Sequence, residues 1–171
     1  MIPVHHGNLE HHVLLALLAL FDHRVILSRK ELFDEVMTSL DARVCRPVDE
    51  QYFCPGLAWL KEFASQLKEH APEFRSEAFD CDQFALRARV QADEALLRGS
   101  QRDSGHTFGY AEVMMQAGMV LNGIEAPSKG AHATNLCRLN DGTWWFVEPQ
   151  TNLMCRWDQR PRGLVLAFLW L

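Results

Sequence analysis

A chain of 171 residues with 48% apolar and 23% charged side chains fits one globular domain with a sizeable core. The net charge of −5 and the lack of a Lys/Arg run exclude nucleic acid as a default partner. The five cysteines are odd in number, widely spaced and without a Cys-x-x-Cys pair. That pattern excludes a disulfide framework and a zinc site of local spacing, and it makes reduced, cytoplasmic surroundings the simpler expectation.

The apolar run Val13 to Phe21 is too short to cross a membrane. No Lys or Arg precedes it and no clean small-residue cleavage site follows, so it reads as part of a buried helix, Leu9 to His23, rather than a leader. The flanking pairs His5-His6 and His11-His12 read as solvated histidines. Ser28 with Glu31 forms a capping box for a second helix carrying Leu32, Phe33, Val36, Met37 and Leu40 at helical spacing. Pro47 ends that region. Pro55 suits the opening of a third helix with the stripe Leu57, Leu60, Phe63, Ala64 and Leu67, closed by Pro72.

A fourth helix starts near Asp80 or Cys81. Its inward face is Phe84, Ala85, Ala88, Ala92, Ala95 and Leu96, small side chains suited to close packing on a sheet. Arg98-Gly99-Ser100 ends it. Strand spacing follows: Val113 to Ile124, broken or bent at Gly118; His132 to Leu139; Thr143 to Val147; Leu153 to Trp157; and Leu164 to Trp170 as strand or final helix. The expected organisation is a single domain, 1–171, with a helical extension over 1–45 and a core over 46–171.

Cys81 stands at a helix start, His132 on a strand and Glu148 on the next. A thiolate at a helix N-terminus, an imidazole and an orienting carboxylate are the parts of nucleophilic acyl chemistry. Loop parity decides whether His132 and Glu148 share a face. A two-residue Asp141-Gly142 loop separates them. A three-residue loop pairs Leu139 with Thr143 and Thr134 with Glu148, making His132 and Glu148 diagonal neighbours, and it places Gly142 at the left-handed position. In that register His132, Thr134, Leu136, Trp144, Phe146 and Glu148 share one side, whose apolar members are expected to pack on the Cys81 helix. Thr143, Trp145, Val147, Asn135 and Cys137 face the other way.

Asp80 and Asp82 flank Cys81 and should raise the thiol pKa unless neutralised. A hard divalent cation, calcium, magnesium or manganese before zinc, answers that electrostatic problem. Each aspartate also reads as an ordinary helix-start residue.

The segment Phe79-Asp80-Cys81-Asp82-Gln83-Phe84-Ala85 resembles the nucleophile segment of bacterial transglutaminase-like cysteine proteinases. His132-Ala133-Thr134-Asn135, with Phe146-Val147-Glu148-Pro149-Gln150-Thr151, resembles segments of the papain-like C-terminal domain of fungal agglutinins. The resemblance runs over roughly Asp49 to Trp157. It implies an α+β papain-like/transglutaminase-like fold, with a central Cys-bearing helix packed on an antiparallel sheet and extra N-terminal helices. It further implies a cysteine peptidase using Cys81, His132 and Glu148 on a peptide or protein substrate, with calcium or manganese at Asp80 and Asp82. An acyltransferase or amidase would use the same residues. The segment Glu73 to Glu77 offers no upstream oxyanion donor, leaving Trp59, Gln51 or Tyr52 to supply one in space. The alternative function is a non-catalytic binding or structural module that keeps the fold.

Overall fold

The computed structural model describes residues 25–69, 80–97 and 104–171. The expected first helix, the histidine pairs, the Glu73–Glu77 stretch and the Arg98–Ser100 terminator lie outside them. The described chain runs β1 (Val25–Ser28), α1 (Arg29–Ser39), β2 (Cys45–Arg46), β3 (Gln51–Cys54), α2 (Leu57–Glu69), α3 (Cys81–Leu97) and β4 (Gly105–His106). It continues through β5 (Phe108–Met115), β6 (Val120–Leu121), β7 (Ile124–Glu125), β8 (Gly130–Arg138), β9 (Trp144–Val147), β10 (Met154–Arg156) and β11 (Val165–Trp170).

Six strands form the main sheet in the order β10-β9-β8-β5-β11-β2, three form a second sheet, β1-β3-β4, and β6-β7 is a separate ribbon. β11 pairs with β2 in parallel, as β3 does with β4, so both larger sheets are mixed. This corrects the expected α+β, papain-like/transglutaminase-like layering on one antiparallel sheet: eleven strands in three sheets frame three helices among the described residues. β1, β2, β3 and β4 have no counterpart in the sequence reading. They are two to four residues long, too short for alternation to declare itself.

The helices follow their sequence signals. α1 opens on the complete Ser28–Glu31 capping box, burying Leu32 and Val36 while Phe33 stays exposed. α2 buries Trp59, Leu60, Phe63, Ala64 and Leu67. α3 buries Phe84, Ala85, Ala88, Ala92, Ala95 and Leu96 and lies across β5 and β8. Gly118 at φ 75 lies in the turn between β5 and β6, so the run from Val113 to Ile124 is broken there: it holds the end of β5, then β6 and the start of β7.

The hairpin adopts the three-residue loop. Leu139 N–H donates to Thr143 O at 2.8 Å, Gly142 sits at φ 85, and Asn135 pairs with Val147. The faces, however, pack the other way round from expectation. Leu136, Trp144 and Phe146 belong to one core with Leu32 and Val36 of α1. Cys137 and Val147, with Trp145 against them, belong to the other with Leu60, Phe63, Ala88 and Ala92 of α2 and α3. Both cores hold large rings, Trp144 and Phe146 in the first and Trp59, Phe63 and Phe108 in the second.

Candidate functional site

Asp80 begins the site. Its carbonyl accepts the first intrahelical bond, from Phe84 N–H at 3.1 Å, and Gln83 Oε1 accepts from Asp80 N–H at 3.0 Å. This is the returning half of a capping box, legible in the Asp80-x-x-Gln83 spacing. It fixes Cys81 in the first helical turn, half-buried beside Ala85, Tyr110 and Ala133.

His132 lies on β8 opposite Val113, on the face away from α3. β9 pairs only with Asn135–Arg138, which leaves Gly130–Thr134 without a strand partner on that side. The imidazole acts on the Cys81 thiol across this open margin, lowering its pKa. Its Nε2 donates to Glu148 Oε2 at 2.7 Å. Glu148 is fully buried. Its second oxygen accepts from Gln150 N–H at 3.2 Å, and its carbonyl accepts from Asn152 N–H at 2.8 Å, so a tight turn after Pro149 holds the carboxylate in place. The structure therefore brings Cys81, His132 and Glu148 together, with His132 hydrogen-bonded to Glu148.

The electrostatics of that group are distinctive. The His132 hydrogen bond holds the Cys81 thiol below its ordinary value. The Ala133 N–H assists, and burial and Asp80 oppose it. Burial works against the His132 cation, yet the bonds to Cys81 and Glu148 push its pKa up to about 9. Each group therefore favours the charged form of the other, thiolate beside imidazolium. Burial raises the other four thiols, Cys45 to about 11, Cys155, Cys54 in spite of Arg138, and Cys137 well above the ordinary range. The Ala133 N–H donor escapes sequence reading because a backbone group leaves no residue signature.

Asp82 is hydrogen-bonded through its side chain to Asp80, which raises the Asp82 pKa. Asp80 Oδ1 is buried with no partner. Two adjoining carboxylates with an unpaired oxygen suit a hard cation in charge and donor type. Among the described residues, no group of three or more His, Cys, Asp or Glu side chains gathers to hold one.

The oxyanion donors suggested by sequence do not reach Cys81. Trp59 is fully buried in the α2–α3 core, stacked on Phe63 at 4.9 Å. Tyr52 packs under α1, and its hydroxyl accepts from Asp49 N–H at 2.7 Å. Gln51 is exposed on β3, outside the cluster around Cys81.

No protein-family model and no curated protein matches the chain. Among solved structures, one described as a "PSL1a-E64 complex" matches with a TM-score of 0.58 at 17% identity, over 85% of this chain and 51% of that one. The Polyporus squamosus lectin bound to the human-type influenza-binding epitope Neu5Aca2-6Galb1-4GlcNAc matches with a TM-score of 0.64 at 18% identity, over 85% and 49%. The chain thus spans about half the length of the structures it resembles. At these identities the likeness establishes fold alone.

The likeness is to a lectin fold, and it corrects the resemblance to papain-like/transglutaminase-like cysteine proteinases. The expected α+β peptidase class, the thiol-hydrolase activity and the peptide substrate are corrected with it, and the binding alternative is the better supported. Among the described residues no helix is long and apolar enough to cross a membrane.

Proposed function

We propose that this chain is a ligand-binding module of lectin-like architecture whose recognition centre is the Cys81–His132–Glu148 group. The observation that carries the reading is the contrast among thiols: the Cys81 pKa is lowered by His132 while those of the other four cysteines are raised by burial. A thiol at a half-buried position whose pKa is lowered by a neighbouring imidazole captures carbon electrophiles more readily than a buried one. The placement of Trp59 and Tyr52 in other cores supports capture without turnover, because neither donor stands where an acyl intermediate would need it.

One similar structure is a complex with E-64. That reagent is an epoxide, a class of electrophile that thiolates open. The other similar structure holds a glycan. Asp80 and Asp82 would hold a calcium or manganese ion, with backbone carbonyls or water completing its shell. Such an ion would relieve the charge those carboxylates impose on Cys81.

The test is exposure to one equivalent of E-64 at neutral pH, followed by mass mapping and an assay of peptide hydrolysis. A single stable adduct on Cys81, with no hydrolysis that Cys81→Ser abolishes, supports binding. Adducts spread over the five cysteines, or Cys81-dependent hydrolysis, overturns it.

A further inference from the structure

A cleft of about 210 Å³ opens beside the recognition centre, lined by Met115, Ile124, Ala126, Pro127, Ala131 and His132, with Glu125, Ser128 and Gly130 completing it. His132 joins the two places: it lines this cleft with Ala131, and the next residue, Ala133, belongs to the cluster on which Cys81 packs. The walls come from the end of β5, the β6-β7 ribbon and the turn leading into β8. Met115 and Ala126 are buried in the α1-side core, so the floor of the cleft is continuous with packed structure.

We infer that this cleft is a specificity subsite, taking an uncharged apolar side group of the ligand whose electrophilic carbon meets Cys81. The inference rests on the binding reading above. Three features argue for this occupant. The cleft is smaller than the roughly 300–1,000 Å³ of a pocket that encloses a whole small ligand, so it fits one group of a larger molecule. Most of its lining side chains are apolar, so desolvating an aliphatic or phenyl group there is favourable. Glu125 disfavours an anionic substituent at the same place.

The experiment uses substituted iodoacetamides. The Cys81 thiolate displaces iodide, forming the S–C bond as the C–I bond breaks and iodide leaves with the electron pair, with no proton to move. The second-order rate of Cys81 alkylation is measured for iodoacetamide and for its N-isobutyl, N-benzyl and N-(2-carboxyethyl) derivatives, each divided by its rate with glutathione. The N-isobutyl or N-benzyl reagent should gain about tenfold over the parent, the scale at which apolar pockets discriminate. The carboxyethyl reagent should gain nothing.

Filling the cleft by Ala131→Trp, at an exposed position, should bring the apolar advantage down toward one. Gly130→Leu provides an independent filling, since an added Cβ there meets no heavy atom within 4 Å. Equal normalised rates for all reagents, or an advantage that survives both substitutions, overturn the subsite. Failure of the parent reagent to prefer Cys81 over the other four cysteines instead overturns the binding reading itself.

Discussion

At the scale of single residues, the site turns on where two protons sit. His132 has a folded pKa of about 9 against an ordinary 6.5, so its contribution to stability is fully present below pH 6.5 and is lost as the pH rises through 9. Cys81 has a lowered pKa, so its contribution is fully present above the ordinary thiol value and is lost as the pH falls through the folded value. His132→Gln removes a cause of both shifts, so its melting series from pH 6 to 10 should differ in shape from the parent's. Parallel curves would count against the imidazolium. Glu148→Gln keeps the shape but removes the charge that orients His132. It should cost about 1–3 kcal/mol in denaturant unfolding and slow Cys81 alkylation at pH 7.

At the scale of elements, the hairpin and the helix start do the positioning. Gly142 at φ 85 sets the loop that gives β8 and β9 their register. Gly142→Ala should destabilise the fold by about 1–2 kcal/mol, read as a shifted urea midpoint with an unchanged slope. Phe146→Ala removes a fully buried ring under α1 and should cost about 3–5 kcal/mol.

The register and the α3 face were legible in the sequence because each rests on local information, an Asn140-Asp141-Gly142 turn and an alanine stripe at helical spacing. The packing of the two sheet faces was not. Whether Trp144 and Phe146 lie under α1 or α3 is a property of tertiary packing. The parallel pairing of β2 with β11 joins residues more than a hundred positions apart and leaves no local trace. At the site, residue type and order identified the side chains that meet. The Ala133 N–H contact and the cleft beside His132 arise from backbone and loop placement.

At the scale of the whole molecule, the strand-rich frame holds one ionised centre at a sheet margin between two cores. If Asp80 and Asp82 hold a cation, millimolar calcium or manganese should raise the melting temperature and quicken Cys81 alkylation together, and Asp82→Asn should lose both responses. Unchanged values in the parent would leave the aspartates as helix-start residues. The most direct test of the account is the ultraviolet thiolate absorbance of the folded protein against pH, taken as the difference between the parent and Cys81→Ser. The account predicts that the one-thiolate difference appears at a pH below the ordinary thiol value of 9.0. A difference that first appears near the ordinary thiol pKa of 9.0 would contradict the account.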